Sequence, residues 1–477
     1  MNGNRQRLRI LQVSTRDVAG GAERSARNLA DAYREMGHES WLAVGEKRES
    51  DPWTLEIPND VERNVAVRMI DALRADPGGP VHQIRGLGRL TTLGRRLAEP
   101  ARSLAIELGH EDFHFPGTRD LLNLTPSPPD ILHLHNLHGG YFDLRRLAEL
   151  SRTLPTVLNV RDGWLMSGHC AFGLTCERWK IGCGDCPDLT LFPAVRRDAT
   201  RFNWRRKRSI LADSRLYVAT PSEWMMSRVR ESIIAPAALQ SRVIPNGVDT
   251  RTFKPRDRME ARDLIGVDPA ANILLVASNA LKHNVWKDYE TLRAALEILG
   301  RQSWHKPLIV LAVGEAGPSE RVGSVELQFL PFQADSLQLA CYYSAADVYL
   351  HAARVESFGN VLIEARACGT PIVSTAVGGI VEQVRALAGD WIPESLTPHG
   401  INDATGLLVR PADPGAFASA VTALLTDEGA RAALAANGLR HVESEYTLQK
   451  QAGRFVDWYR EILALERLGG SERATGR

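Results

Sequence analysis

The chain has 477 residues, too many for one hydrophobic core and enough for two or three domains of ordinary size. With 44% hydrophobic and 24% charged residues it has globular composition, which excludes a mainly disordered or fibrous chain. Its 58 basic and 57 acidic side chains leave a formal charge of +1, so the whole protein is no general polyanion binder and nucleic acid is not an expected partner.

The opening run MNGNRQRLRILQVS passes from polar to a short apolar strand and lacks the apolar core and cleavage site of a signal peptide. No apolar run approaches the roughly 20 residues of a membrane-spanning helix. Both readings point to a cytoplasmic protein. Residues 8–14 read as a strand, TRDVAGGAER as a loop, 22–36 as a helix stopped by Gly37, and 40–44 as a strand. That is a βαβ unit, which implies a parallel sheet covered by helices. Residues 46–128 are rich in Arg, Gly and Pro, end in TPSPPD, and read as a long insertion with some helix. Strands resume at 131–135, 156–160 and 216–219.

A second alternation follows VIPNGVDTRTFKP: strand 272–277, helix 288–299, strands 307–313 and 346–351, helix 361–368 and strand 371–374. The expected fold is therefore α/β, with two doubly wound Rossmann-like domains. The first takes 1–250, including the insertion and a cysteine-rich loop at 168–190. The second takes 251–446, and a helix at 447–467 is expected to pack back on the first domain. The tail GGSERATGR reads as disordered.

The chemistry concentrates in ESFGNVLIE, Glu356 to Glu364, followed by ARACGTPIVSTAVGG. Gly359 permits close approach of the backbone to a ligand. A helix beginning near Phe358 or Gly359 would aim its free amides and its dipole at a pyrophosphate. Glu356 would stand before that helix, and Glu364 roughly 7–8 Å further along its axis at ~1.5 Å per residue. Such a separation suits one carboxylate on a sugar and the other on the ribose of the same nucleotide sugar. The loop Gly20–Glu23 also opens a helix after a strand, although it lacks the G-x-G-x-x-G of a dinucleotide fold.

These runs resemble family 4 of the glycosyltransferases, retaining enzymes of the two-domain GT-B fold whose domains face a cleft. ESFGNVLIE with GTPIVSTAVGG is similar to the Glu-x7-Glu signature of that family. VIPNGVDTRTFKP resembles its interdomain segment and GGAER its glycine-rich loop, here Gly20 and Gly21. The resemblance implies transfer of a sugar from a nucleoside diphosphate, with domain closure excluding water and no catalytic metal. Glu356 would contact the donor sugar and Glu364 the ribose, while the backbone of Ser357, Phe358, Gly359, Asn360 and Val361 would hold the diphosphate. Of the Arg and Lys that neutralise the leaving group in the family, Lys287 matches the Lys. The Arg position holds Ser278 or Asn279, and Lys282 is the candidate second charge.

Where many relatives carry a His-Asp pair near the acceptor, TVLNVRDGW has Arg161-Asp162. Arginine stays protonated and is no general base. In front-face retention the departing phosphate oxygen takes the acceptor proton, so Arg161 is read as holding an anionic acceptor group and Asp162 as orienting its hydroxyl. His133, His135 and His138 of DILHLHNLHGG follow a strand near the same place, and His135 joins the catalytic set.

GHCAFGLTCERWKIGCGDCP resembles a cysteine-rich segment of bacterial polysaccharide enzymes of the colanic-acid type. Cys183 and Cys186 have zinc-ligand spacing, and with Cys170 and Cys176 they could close a structural, non-catalytic zinc site; four reduced thiols are the alternative. Basic and aromatic residues interleave at 192–208, and basic ones recur at Arg85, Arg89, Arg95 and Arg96. Such patches suit the anionic inner face of a plasma membrane, where a lipid-linked acceptor or growing glycan of surface polysaccharide would be met. Two other classes remain open. One is a catalytically silent sugar-binding scaffold, favoured by Arg161. The other is an NAD-dependent oxidoreductase, against which the missing G-x-G-x-x-G stands.

Overall fold

Two doubly wound units make up the computed structural model, which describes residues 7–18, 20–60, 94 and 97–475, with side chains to residue 468. The first unit takes residues up to 220, 226–242 and the chain from 456 onward; the second takes 221–225 and 243–455. Arg85, Arg89, Arg95 and Arg96 lie outside the described residues, with the rest of 61–93.

In the first unit β1 (Arg9–Arg16) is followed by helix α1 (Gly21–Glu35), β2 (Glu39–Glu46) and β3 (Thr54–Glu56). Both faces of β1 and β2 are covered, and each strand has five consecutive buried residues, as a parallel sheet requires. Helix α1 buries Ala26, Leu29, Ala30 and Tyr33, a 3.6-period stripe. Part of the insertion is ordered: β3 extends the sheet edge beside β2, and helix α2 (Pro100–Glu107) follows. Then come β4 (Ile131–Leu134), α3 (Leu147–Thr153), β5 (Thr156–Asn159), α4 (Thr200–Ala212), β6 (Leu216–Thr220), α5 (Glu223–Arg230) and β7 (Ala238–Val243). The strand order is β3-β2-β1-β4-β5-β6-β7. It reverses direction between β1 and β4, so the loops leaving the carboxyl ends of those strands flank the natural ligand crevice of the sheet.

The second unit repeats the plan. After α6 (Arg258–Ile265) come β8 (Asn272–Ala277), α7 (Tyr289–Gly300), β9 (Leu308–Val313), β10 (Glu320–Val322), β11 (Val325–Leu330), α8 (Ser336–Ala345), β12 (Val348–His351), α9 (Asn360–Ala367) and β13 (Ile372–Thr375). The unit ends with α10 (Ile380–Gln383), β14 (Leu407–Val409), α11 (Pro414–Thr426), α12 (Glu428–Glu445) and the start of α13 (Leu448–Thr475). The order is β10-β11-β9-β8-β12-β13-β14, with only β10 antiparallel to its neighbour among the pairings given. Alternate residues of β8 feed two cores, Ile273 and Leu275 on one face, Leu274 and Val276 on the other. Here the reversal falls between β8 and β12, and the loops after those two strands carry Lys287 and Glu356.

Helix α13 runs to Thr475, well past residue 467 and through the tail read as disordered. From Val456 on it belongs to the first unit, where Tyr459 bonds Tyr33 (2.9 Å) and His133 Nδ1 (2.7 Å). No helix among the described residues is long and apolar enough to cross a membrane.

Candidate active site

Glu356 and Lys287 meet in the second unit. Lys287 forms an isolated bridge with Ala353, and Arg354 N donates to Trp286 O (2.9 Å), so the loop after β8 is stitched to the loop after β12. The result is a Lys287 Nζ to Glu356 Oε2 contact of 2.8 Å between two side chains that keep about a fifth of their surface exposed. Burial alone would raise the Glu356 carboxyl, but the charges and hydrogen bonds of Lys287 and His351 together outweigh it and hold the group well below the usual carboxylate range. His351 Nε2 lies 3.6 Å from the same oxygen, and burial keeps this imidazole below its ordinary value. The pair is an ionised carboxylate with its cation at the mouth of a helix.

That helix is α9. Its cap, Gly359, has φ +87°, a left-handed conformation open to glycine and strained for a side chain. The first N–H groups of an α-helix lack intrahelical partners, so the amide-rich turn at 359–361 is a place for an anion. Three side chains, Gln383, Ser222 and Asn246, hold the turn. Gln383 Nε2 donates to Phe358 O, and buried Arg366 fixes Gln383 through its carbonyl (2.9 Å) and its Oε1 (2.5 Å). Ser222 Oγ donates to Ser357 O (2.7 Å), and Asn246 Nδ2, from the VIPNGVD run, donates to Asn360 Oδ1 (2.9 Å). The Gly378-Gly379 turn lies against the same backbone: a Cβ on Gly378 would sit 2.0 Å from Glu356 O and one on Gly379 2.1 Å from Ser357 O. Val361 packs on the adjoining core.

Glu364 lies on the second turn of α9, only 4% exposed, and its Oε2 accepts from Tyr343 OH (3.0 Å). It is a covered carboxylate, unlike Glu356. Lys282 is committed elsewhere and supplies no second charge beside Glu356. Its Nζ pairs with Glu320 (2.9 Å) and lies 3.7 Å from the Phe329 ring, because the loop after β8 passes β10 and β11 before reaching Lys287. Gly20 and Gly21 belong to the first unit; Gly20 caps α1, and a Cβ there would meet Glu23 Oε2 at 2.8 Å.

In the first unit a histidine stands against Asp162, but it is neither neighbour in sequence nor His135. His138 Nε2 lies 2.9 Å from Asp162 Oδ2. Burial would lower the His138 pKa, yet the charge and hydrogen bond of Asp162 raise it above its ordinary value, and Asp162 is lowered in return despite its burial. The Trp164 amide, 2.9 Å from Asp162 Oδ1, orients the carboxylate. His135 is 2% exposed, bonds Gln12 Oε1 (2.8 Å) and stays neutral through burial, so its ring is part of the sheet interior and does not reach a substrate. Arg161 is also buried; its Nη1 donates to Ala22 O (3.1 Å) at the first turn of α1, and burial lowers it to about 10. The sequence signal for His138 was only its place at the end of β4, three residues beyond His135.

The four clustered cysteines line one small cavity of about 40 Å³ together with His169 and Trp179. Among the described residues no group of three His, Cys, Asp or Glu side chains is placed to hold a metal. The sulfurs are spent on separate partners. Cys183 Sγ accepts from Gly168 N (3.2 Å), and Cys186 Sγ contacts His169 Nε2 and Asp188 O (3.4 Å each). Burial pushes Cys170 up to about 11 and Cys183 to about 12, so both are neutral thiols.

The basic stretch at 192–208 is likewise partly consumed. Asn203, Trp204, Lys207 and Leu211 form the inward stripe of α4. Lys207 is fully buried and bonds Glu111 (2.8 Å), Trp164 O (2.8 Å) and Ser167 O (3.1 Å). Arg196 pairs with Glu107, and Arg206 lies over the Phe113 ring at 4.3 Å. Arg197, Arg201, Arg205 and Arg208 are left at the surface.

Known proteins can now be set beside this geometry. Residues 19–252 match the family described as Glycosyltransferase Family 4, and residues 270–441 match Glycosyl transferases group 1. Among solved structures, sucrose-phosphate synthase from Thermosynechococcus elongatus superposes with a TM-score of 0.58 at 22% identity, covering 96% of this chain and all of that one. HepE from Anabaena, solved in complex with UDP-glucose, superposes with 0.57 at 16% identity, covering 95% of this chain and all of that one. The chain has the GT-B fold of glycosyltransferases. Curated relatives of this GT-B chain include a D-inositol 3-phosphate glycosyltransferase of Rhodococcus jostii, 30% identical over 317 residues, 63% of this chain and 62% of the relative. Another, from Catenulispora acidiphila, is 32% identical over 208 residues, 41% of this chain and 44% of the relative. The chain thus matches less than two thirds of the length of either relative.

Proposed function

We propose that this GT-B chain is a retaining glycosyltransferase that moves a sugar from a nucleoside-diphosphate donor to a hydroxyl of a glycan or lipid-linked acceptor in surface polysaccharide synthesis. The observation that carries the reading is the Lys287–Glu356 ion pair at the mouth of α9. A carboxylate held ionised there accepts hydrogen bonds from donor-sugar hydroxyls, while Lys287 and the amides of 358–361 balance the charge that grows on the leaving diphosphate. Glu364, held by Tyr343, is assigned to the ribose. The nucleotide sugar bound to HepE and the activities named for the relatives support the donor class.

In the first unit, His138 and Asp162 are assigned to the acceptor. His138 orients the attacking hydroxyl, Asp162 keeps the ring in place, and the acceptor proton leaves with the departing phosphate oxygen. Arg161 cannot carry a proton away and, buried against α1, is assigned to positioning an anionic acceptor group. The surface arginines of α4 are assigned to an anionic membrane face.

Thermal-shift screening of the full chain against UDP, GDP, ADP and their sugars tests the donor assignment. One nucleotide should stabilise the wild type by several degrees, and radiolabelled donor should then lose its sugar at a rate abolished in Glu356→Gln. Stabilisation by NAD with none by any nucleoside diphosphate would overturn the reading, and nucleotide binding without turnover would favour a silent sugar-binding protein.

A further inference from the structure

Two adjoining hollows open in the first unit, and the chemistry assigned above touches only the His138 end of one of them. One, of about 440 Å³, has His138, Gly139 and Gly140 on its wall and Phe192 and Trp164 beside them. The other, of about 580 Å³, lies between α2 and α4. They share a wall made by Ile106 and residues 110–113. Both volumes fall within the roughly 300–1,000 Å³ of ligand pockets.

We infer that these hollows form an extended subsite for a carbohydrate chain, holding the sugar units of the acceptor that precede the one bearing the reacting hydroxyl. The inference rests on the glycosyltransferase reading and names its acceptor class. Three observations support it. First, the lining is aromatic: Phe113, Trp164, Phe192, Phe202 and His110 stand at several angles, with His110 stacked on Phe202 at 4.2 Å and Phe192 edge-on to His138 at 5.5 Å. Phe192 and Phe202 keep 51% and 46% of their surface exposed, a cost unless something covers them. Ring faces carry negative charge and attract the C–H faces of pyranoses.

Second, charged groups stand between the rings. Asp112, Arg145 and Arg206 line the hollow between α2 and α4, and Arg206 lies over the Phe113 ring. An acyl chain there would strip water from these groups and return no hydrogen bonds. Sugar hydroxyls would replace that water bond for bond. Third, the hollow nearer His138 ends at the imidazole already paired with Asp162, so a chain lying in it would deliver its terminal hydroxyl to that pair. The second hollow is walled by helix α2 of the 46–128 insertion, which gives that part of the chain a task.

The test compares ring with aliphatic bulk. In Phe192→Leu and Phe202→Leu, both at exposed positions, apolar contact survives and ring stacking is lost. Saturation-transfer NMR on the full chain, with neutral gluco-, manno- and galacto-oligosaccharides of one to six units, reads binding without donor turnover. Affinity for one series should rise with length, and each Leu variant should weaken its longer members about fivefold to tenfold. Sodium decanoate serves as the acyl probe and should bind wild type and variants alike, weakly. Saturable decanoate binding with no oligosaccharide binding would overturn the inference, as would oligosaccharide binding indifferent to both substitutions. Either result leaves the donor assays untouched, so a failure here is separable from failure of the glycosyltransferase reading.

Discussion

The two units share a doubly wound plan, each sheet reversing direction once beside its first strand, to opposite effect. In the second, the site is one stretch of sequence: a loop, a glycine cap and a helix, closed by a lysine that a single bridge brings over. In the first, it is gathered from the ends of β4 and β5, and its histidine comes from a different strand than its carboxylate. A contiguous site announces itself as a motif. An assembled site does not, because a pairing in space leaves no spacing to read. The substitution of arginine for histidine beside Asp162 looked like a lost base, whereas the fold supplies an imidazole 24 positions away along the chain, at 2.9 Å.

The largest effect should come from the contiguous site. Glu356→Gln keeps shape and removes charge, and turnover of the donor should fall roughly 10²–10³-fold, as when an electrostatic stabiliser is taken from a transition state. Donor affinity should change far less. A variant with near-normal turnover would break the contrast at once, since the motif would then be a solvated helix with two incidental acids.

Next comes the assembled site. His138→Ala should lower turnover about 10²-fold, the scale lost when the reacting atoms are no longer held in place. Asp162→Asn sharpens the point through pH. In the wild type the Asp162 charge raises His138 against the effect of burial. Without that charge, burial is left, and it lowers the pKa. The neutral imidazole then persists to lower pH, so the acid limb of the turnover profile should move to lower pH in the variant. An unmoved limb would mean that the pair is structural.

Much of this was legible beforehand. Residues 272–277 form β8 as expected, and the helix of ESFGNVLIE begins within a residue of its expected start, because apolar runs and a glycine cap are local signals. What escaped the sequence was long-range. The insertion contributes β3 and α2, since a three-residue edge strand has no pattern of its own. His135 and Lys207 looked like reactive or surface groups, but a strand interior and an inward helix stripe bury both.

A smaller effect should follow from the support of the contiguous site. Gln383 bonds the carbonyls of Phe358 and Gly359 and is itself gripped by buried Arg366. Gln383→Leu strands the guanidinium and should cost about 1–3 kcal/mol. Calorimetry should show a lower Tm, and nucleotide binding should weaken as the turn loosens. Full stability with full affinity would show that the turn needs no such anchor.

The smallest effect is expected at Lys282, the candidate second donor charge where the family's Arg position holds Ser278 or Asn279. Its ammonium faces Glu320 across a partly exposed pair and rests on Phe329, so its charge is neutralised before a diphosphate arrives. Pairs of this kind contribute about 0–1 kcal/mol. Lys282→Met should therefore leave donor affinity within about threefold of wild type, while Lys287→Met, which frees Glu356, should weaken it by an order of magnitude or more. Isothermal titration with the nucleotide found by thermal shift measures both. Equal losses at the two lysines would mean that Lys282 leaves Glu320 when the donor binds, and the division of labour between them would have to be redrawn.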